Sequence, residues 1–368
     1  MGGSALKQAR IDARSAKIEF SGETSLRLDA EGRWGSFRRG PEFFRRTLRD
    51  EVWCRDREVD AGERNRIDGE IQACLQTTRR LVLAQDIQIW GSPESLLELL
   101  DRALGLDESV SQRQALFDRA YAERVPILPP DRYRDLVVLP ATGCPNGQCS
   151  FCAFYKGVDF RAFSLEEFAK HLDNLERLLG RALAGRDGLF LGSANALALP
   201  GKKLVPMLEL LHERFESRPR GLASFYDPEH APRRSLADWQ QLEDLGLTQV
   251  VLGLETADPD LRQSLGKSPD LSLIDENLAT LSQTGIRVGL TLLLGAGPTE
   301  SADSQLAKAC DYLSRLPLDA EDLVYLSPLD DSTWPQAQTC FAPWRKALRA
   351  STPAQLVHYS MDRFHYYA

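Results

Sequence analysis

The sequence is poor in histidine and has no long apolar run, and both shortages narrow its possible functions. Only five histidines occur in 368 residues, and none forms an H-E-x-x-H or Ser-His-Asp pattern, so hydrolase chemistry of those kinds is not indicated. No stretch approaches the roughly 18 apolar residues that span a bilayer, and the N-terminus lacks the apolar centre of a secretory signal. We therefore expect a cytoplasmic protein without a membrane segment. Its seven cysteines should then be thiols or metal ligands, not disulfides.

The chain also lacks an excess of positive charge. It carries 45 Lys and Arg against 53 Asp and Glu, a formal charge of −8, which disfavours a general nucleic-acid binder. One segment departs from this balance, because Arg33–Arg49 holds six arginines and a single acid, Glu42. Such a run binds an anionic substrate or nucleic acid, or it is a solvated face whose arginines pair with acids elsewhere. We expect the solvated face, and we do not expect nucleic acid as a partner.

The second half of the chain alternates between two kinds of pattern. Apolar runs rich in β-branched residues are separated by segments of helical periodicity, which predicts parallel strands joined by right-handed crossovers. Periodicity alone leaves a doubly wound sheet and a (β/α) barrel equally open, and in both folds ligands gather at the carboxyl ends of the strands. The predicted strands are Asp135–Thr142, Gly188–Ser193, Gly221–Tyr226, Thr248–Glu255, Arg287–Gly295 and Asp322–Pro328.

The flanking regions follow other patterns. Residues 1–130 predict an α+β extension with short strands near Ala16–Glu19 and Ser25–Leu28, followed by helical segments, and the proline-rich Pro126–Asp131 marks its junction with the next domain. Residues 131–330 form the predicted barrel domain. Residues 331–368 predict a C-terminal helical tail that covers the barrel opening, and its aromatic end is a candidate wall of the substrate pocket.

The most informative segment is a loop with three cysteines directly after the first of these strands. Cys144, Cys149 and Cys152 lie within nine residues, and Gly143 and Gly147 allow the tight turns needed to gather their sulfurs. Thiolates suit zinc and iron–sulfur clusters. A structural zinc site takes four protein ligands, whereas three cysteines on a [4Fe–4S] cube leave one iron open. A zinc knuckle and a redox thiol cluster remain as alternatives.

This loop resembles the signature of radical S-adenosylmethionine (SAM) enzymes. In that family three cysteines bind the cluster, and the amino and carboxylate groups of SAM chelate the fourth iron. The usual spacing is C-x3-C-x2-C, and this chain has C-x4-C-x2-C. The resemblance covers roughly residues 134–330 and implies a partial (β/α)6 TIM-like barrel, so the fold class is α/β. It also implies that Phe151, just before the last cysteine, lies beside the adenine.

Further residues match positions that bind SAM in the family. Gly192 and Asn195 lie in a stretch that resembles the family's G-G-E-P loop, with Asn195 in place of the acid that holds the SAM amine. Glu255 ends a segment similar to V-G-L-E-S-G, whose Glu bonds the ribose. The remaining candidates, which the resemblance places near the SAM carboxylate, ribose or base, are Ser224, Arg262, Lys267, Val288 and Ser327.

The resemblance implies a function of a definite type. Such an enzyme uses its [4Fe–4S] cluster to cleave SAM reductively, and the resulting 5′-deoxyadenosyl radical abstracts hydrogen from a substrate. We expect a small-molecule or peptide substrate and an electron donor such as flavodoxin or ferredoxin. Two alternatives stay open: an iron–sulfur or zinc protein for binding or electron transfer without SAM cleavage, and a radical SAM enzyme that modifies RNA. The other cysteines, Cys54, Cys74, Cys310 and Cys340, are scattered and predict free thiols, and no cobalamin module or auxiliary cluster is indicated.

Overall fold

A computed structural model describes residues 6–107, 109–121, 125–215, 218–298, 301–329, 337–360 and 365–367. It divides the chain into two compact units. The first consists of 1–122, 173–186 and 365–368, and the second of 123–172 and 187–364. The predicted division at residues 130 and 330 remains a prediction. Among the described residues, no helix combines the length and apolar content that crossing a bilayer requires.

The first unit is built on an eight-stranded sheet. Its strand order is β7-β6-β5-β4-β3-β2-β1-β8, antiparallel throughout except for the parallel pair β1 and β8. Alternating apolar residues of the sheet pack with helices α1 (Ala61–Leu83) and α2 (Pro93–Gly105) in one core. A third helix, α3, covers Val110–Ala120. The strands are β1 Leu6–Ile11, β2 Ser15–Phe20, β3 Ser25–Asp29, β4 Trp34–Arg39, β5 Glu42–Arg46, β6 Val52–Cys54, β7 Arg57–Glu58 and β8 Gln88–Trp90.

The second unit is built on a seven-stranded parallel sheet in which spatial order follows chain order, β9-β12-β13-β14-β15-β16-β17. A doubly wound sheet reverses its order at a switch point, so this uninterrupted order confirms the partial barrel of the α/β class. The strands are β9 Leu136–Val138, β12 Leu189–Leu191, β13 Leu222–Tyr226, β14 Leu247–Glu255, β15 Arg287–Leu294, β16 Leu323–Pro328 and β17 Gln355–His358. The first six coincide with the six predicted strands.

Strand β17 was not expected, since the segment after residue 330 was predicted as a helical tail. That segment contains one helix, α10 (Ala337–Leu348), and then the strand β17. Four residues with an exposed–intermediate–intermediate–exposed pattern give too weak a period-2 signal to identify an edge strand.

Helices alternate with the parallel strands. Local signals set their starts: α6 begins with a capping box in which Ser235 and Asp238 exchange side-chain-to-backbone hydrogen bonds. The helices are α4 Leu165–Leu179, α5 Gly201–Arg214, α6 Leu236–Asp244, α7 Pro259–Ser264, α8 Ser272–Leu281 and α9 Ala302–Leu313, followed by α10.

A polar network fills part of the barrel interior. The Tyr325 hydroxyl donates to Oδ1 of Asp131 at 2.6 Å and accepts from Nε2 of Gln249 at 2.8 Å. Arg132 donates to Oε1 of Gln249 at 2.8 Å and to Asp135 at 3.1 Å. Because these groups satisfy one another, the interior is closed by bonded polar side chains on the side away from the cysteine loop.

Candidate active site

The cysteine loop is attached to the barrel by a short ladder at its base. Strands β10 (Ala141–Thr142) and β11 (Arg161–Ala162) pair antiparallel, with Ala141 opposite Ala162 and Thr142 opposite Arg161. The backbone N–H of Phe163 adds a hydrogen bond to the Pro140 carbonyl at 3.0 Å. Both ends of the loop 143–160 are therefore fixed at the carboxyl end of β9.

Two glycines shape the loop. Gly143 has φ +71°, and a Cβ there would lie 2.4 Å from the carbonyl oxygen of Asp159, a backbone atom that cannot move aside cheaply. Gly147 has φ +63°, and its N–H points to Sγ of Cys144 at 3.5 Å. The two positions that sequence reasoning singled out therefore both need a residue without a side chain or one tolerant of left-handed geometry.

The three thiols are half-buried and line one cavity. Nδ2 of Asn146 donates to Sγ of Cys149 at 3.2 Å. Burial raises the pKa of the Cys149 thiol to about 12, so the surrounding protein alone does not favour the thiolate. A soft metal bound to the sulfur supplies that stabilisation, because metal-bound thiols are deprotonated.

The spacing of the sulfurs separates two kinds of metal site. Three sulfurs on one zinc ion would lie about 3.8 Å apart, since each Zn–S bond is about 2.3 Å. The sulfurs of Cys144, Cys149 and Cys152 do not all lie within 4.8 Å of one another, so in this structure they are not gathered as a single zinc ion would hold them.

The cavity beside the thiols has a volume of about 220 Å³. Eight of the predicted site residues contribute to its wall: the three cysteines and Phe151, Asn195, Glu255, Lys267 and Ser327. They come from the ends of four different strands of the parallel sheet or the loops that follow them, which is the position expected of ligand-binding residues in a barrel.

A buried charged cluster lies on this wall. Nζ of Lys267 donates to Oδ2 of Asp227 at 3.0 Å, and Nδ1 of His230 lies 3.1 Å from the same oxygen. Burial opposes the charge of Asp227, but the bonds from His230 and Lys267 outweigh it and lower its pKa to about 2. Burial likewise opposes the charge of Lys267, yet the carboxylates of Asp227 and Glu255 raise its pKa.

Glu255 occupies a special backbone position at the end of β14. It is 8% exposed, has φ +63°, and follows a register shift against β15 between Gly253 and Glu255. Burial raises the pKa of this carboxyl, while the charge of Lys267 opposes the rise. A carboxylate held in a left-handed conformation at the open end of a strand is the kind of local strain found at functional sites.

Two polar atoms on the wall have no hydrogen-bond partner among the described residues, Oδ1 of Asn195 and Oγ of Ser327. Nδ2 of Asn195 donates to the carbonyl oxygen of Asp227 at 2.9 Å, which fixes the amide orientation and leaves Oδ1 as a free acceptor. Both atoms are buried, so leaving them unpaired is costly unless a ligand bonds them.

Four predicted residues do not line the cavity. Gly192 packs against Leu139, where a Cβ would lie 2.5 Å from Cδ2, and Val288 is buried in the core. Ser224 donates to the carbonyl of Phe225 at 3.0 Å. Arg262 is fully buried and donates to Ser268, Leu254 and Glu229. All of these acceptors belong to the protein itself, so the guanidinium is already bonded. Arg262 lies on α7, behind the cavity wall and not on it.

Sequence reasoning missed several wall residues. Phe154, Tyr155, Phe225 and Asp227 were not among the predicted site residues, although all line the cavity, whereas Tyr359 belongs to the aromatic C-terminal end that was a candidate wall. The phenylalanine–tyrosine pair after Cys152 was the available signal for the first two. Cys54, Cys74 and Cys310 are free cysteines and are not on the wall; the side chain of Cys340 lies outside the described residues.

Asp227, Glu229 and His230 are the one set of three possible metal ligands in the described part of the chain whose donor atoms lie within 4.8 Å of one another. Their partners are already present in the protein: Asp227 accepts from Lys267, and Glu229 accepts from Arg262. We therefore interpret the set as a hydrogen-bonded network.

Comparison with known proteins gives a family. Residues 138–310 match the model of the radical SAM superfamily. No curated protein matches the sequence. Similar solved structures include the cobalamin-dependent SAM radical enzyme OxsB (17% identity, TM-score 0.41, 58% of this chain and 31% of that one), the [FeFe]-hydrogenase maturase HydG (13%, 0.42, 70% and 58%) and the coproporphyrinogen III oxidase HemN of Escherichia coli (19%, 0.40, 66% and 51%).

The chain spans about a third of the length of the first of these structures, OxsB. The matched segment begins within β9 and includes the three-cysteine loop, the Asn195 loop and Glu255. With the uninterrupted parallel strand order, this match shows that residues 138–310 are a radical SAM domain.

Proposed function

We propose that this protein is a radical SAM enzyme that cleaves SAM reductively and acts on a small-molecule or peptide substrate. The observation that carries the proposal is the set of three thiols on the wall of a cavity that also holds two buried polar atoms without a partner among the described residues, Oδ1 of Asn195 and Oγ of Ser327. An electron-transfer protein with a three-cysteine cluster would have no use for those acceptors.

Cys144, Cys149 and Cys152 would hold a [4Fe–4S] cluster with one open iron. When bound, that cluster supplies an electron to the SAM sulfonium, giving methionine and a 5′-deoxyadenosyl radical that takes a hydrogen atom from the substrate. The residues of the chain bind and orient the reactants. The fixed loop base at β10 and β11 supports this role, because it holds the thiols at the cavity before any cofactor arrives.

The remaining wall residues match the groups of SAM in chemistry. Oδ1 of Asn195 is an acceptor suited to the SAM ammonium, and Glu255 is suited to the ribose hydroxyls. Lys267 already donates to Asp227, but an ammonium has three donors, so it can also bond the SAM carboxylate. Ser327 offers a hydroxyl to the base or the substrate. Ser224, Arg262 and Val288 are left out of this ligand set because their side chains are engaged elsewhere or buried, and Gly192 is left out because it is not on the cavity wall.

The aromatic residues that line the cavity would keep water away from the reacting atoms. Phe151, Phe154, Tyr155, Phe225 and Tyr359 present ring surface there, and a reactive radical needs such protection from side reactions. General acid–base residues are not required for the cleavage step, in keeping with the small number of histidines.

The test uses anaerobically reconstituted full-length protein, dithionite and SAM. We expect about four iron atoms per chain and formation of 5′-deoxyadenosine. Cys149→Ala should lose most of the iron and all of the product, while the matched variant Cys310→Ala should keep both. About one zinc per chain, or full iron loading without any 5′-deoxyadenosine, would contradict the proposal and favour the alternative of a binding or electron-transfer protein.

The reductant and the compartment belong to the same proposal. A one-electron donor such as flavodoxin or ferredoxin would serve the cluster in the cytoplasm, where thiols stay reduced. Reduction of the cluster by purified flavodoxin, followed by its electron paramagnetic resonance signal, tests this pairing directly.

A further inference from the structure

The eight-stranded sheet of the first unit has two unlike faces. One face carries the apolar residues that pack with α1 and α2. The other face carries the alternate positions of each strand, which are exposed or half-exposed, and at its β5–β6 end Tyr367 stacks on Arg45 and His365 stacks on Trp53. Because side chains alternate along a strand, residues paired across neighbouring strands lie on the same face. The register therefore defines what this open face presents.

The open face carries a row of cations. Arg10 lies opposite Lys17, and Lys17 lies opposite Arg27 on the next strand. The row continues through Ser36 to Arg45. All four cations are exposed. A second row along the same strands carries Arg38 opposite Ser25.

Acids compensate only part of this charge. Lys17 pairs with Glu19, whereas Arg10, Arg27 and Arg38 form no ion pair within the part of the chain that the structure describes. Like charges directly opposite each other destabilise a sheet, so the row from Arg10 to Arg27 is unfavourable in isolation. An anionic partner would relieve that repulsion.

The structure divides the arginine run 33–49 between two roles. Arg39, Arg46 and Arg49 form ion pairs with acids, as expected for a solvated face. Arg38 and Arg45 instead join the open face, together with cations from β1, β2 and β3 that lie outside the run. Sequence reasoning did not find this face because its members are far apart in the chain.

Aromatic side chains are interleaved with the cations. Trp90 is 52% exposed and lies opposite Arg10, whose guanidinium is 5.6 Å from the ring centroid. Phe43 is 36% exposed, and the guanidinium of Arg38 lies 4.8 Å from its centroid. Exposed aromatic rings beside cations are what single-stranded nucleic acids need, since the rings stack with bases and the cations bind phosphates.

We propose that this open sheet face binds single-stranded RNA. A duplex hides its bases from flat aromatic rings, whereas an unpaired strand offers them. Hydroxyl and amide side chains, Ser25, Ser36, Gln8 and Gln88, occupy the same two rows and can bond the 2′-hydroxyls that distinguish RNA from DNA. The inference goes beyond the proposed cleavage of SAM and does not depend on it.

The experiment measures fluorescence anisotropy of a labelled 20-nucleotide RNA of mixed sequence with full-length protein at several salt concentrations. We expect an affinity that falls as salt rises and that exceeds the affinity for the same sequence as DNA. The triple variant R10Q/K17Q/R27Q should bind at least tenfold more weakly and lose about 2 from the log–log salt slope, since each phosphate contact contributes about 0.7 for single strands.

The matched control is R345Q/K346Q/R349Q, at the end of α10 and just after it, which removes the same charge from three exposed cations and should leave binding unchanged. Trp90→Ala should weaken binding about fivefold or more and leave the salt slope intact. Melting curves of each variant check that it folds. Equal weakening by both triple variants, no RNA binding, tighter binding to phosphatidylserine vesicles or DNA than to RNA, or no effect of Trp90→Ala would overturn the proposal.

Discussion

Nζ of Lys267 lies 3.0 Å from Oδ2 of Asp227, and the buried lysine and the half-buried aspartate both line the cavity that holds the three cysteines. The ammonium also faces the carboxylate of Glu255, whose charge raises its pKa. One cation thus neutralises two acids from the ends of β13 and β14. The charge balance of the cavity depends on Lys267. The same side chain therefore has a structural role and a proposed role in ligand binding.

Lys267→Met should destabilise the protein by about 3 kcal/mol or more, because it leaves the buried carboxylate of Glu255 without its cation and leaves half-buried Asp227 with His230 alone. Urea denaturation at pH 7 measures the loss. Lys308→Met is the matched control, since its pair with Asp258 involves a lysine side chain that is 42% exposed, and exposed pairs contribute about 0–1 kcal/mol. Equal losses in both variants would contradict this account.

The same pair predicts how stability responds to acid. The pKa of Asp227 falls from 3.8 to about 2 on folding, so its contribution is present above pH 3.8 and is lost as pH falls toward 2. The difference in unfolding free energy between the wild type and Lys267→Met should therefore narrow below pH 3.8. Urea titrations from pH 6 to pH 2.5 test this, and a difference that widens in acid would refute it.

Glu255→Gln should separate stability from ligand binding. Burial raises the pKa of Glu255 in the folded state. Its carboxyl therefore stabilises the folded state below pH 4.5, and this contribution is lost as pH rises through the folded-state pKa, where the buried carboxylate opposes folding. A neutral isostere removes that penalty, and the melting temperature of the unloaded protein at pH 8 should rise. SAM affinity, measured by equilibrium dialysis, should fall about tenfold or more with loss of the charge-assisted bond. A variant with lower stability and unchanged affinity would contradict both assignments.

Much of the barrel could be predicted from the sequence, and the reasons are physical. Six buried parallel strands are continuous apolar runs, and Glu255 stood out as a carboxylate after such a run. Two ligand candidates, Arg262 and Ser224, do not line the cavity. They were chosen by their position in the sequence, whereas exposure to the cavity depends on how α7 and β13 pack. Tyr359 lies in the aromatic C-terminal end that was a candidate wall, but the strand β17 that positions it was not predicted, because an edge strand of this pattern has no clear alternation.

Two glycines of the cysteine loop provide a controlled comparison. Gly143 and Gly157 have similar φ values, +71° and +77°, but a Cβ at Gly143 meets the Asp159 carbonyl whereas one at Gly157 meets nothing within 4 Å. Gly157→Ala should cost about 1–2 kcal/mol through backbone strain alone and keep the iron content. Gly143→Ala should displace the loop and lower the iron bound after reconstitution by at least half. Equal iron in the two variants would show that the close approach at Gly143 does not shape the loop.

Because β10 and β11 pair at its base, the cysteine loop can change in length without moving the strands of the barrel. Both ends of the loop are held by this one strand pair, so an inserted residue changes only the path between the ends and transmits no shift to β9 or α4. The additional residue between Cys144 and Cys149 is taken up where Gly147 turns with positive φ and Asn146 reaches a sulfur. Motif spacing can therefore drift in such proteins while the scaffold beneath stays in register, and a search that demands one fixed spacing will pass over functional members.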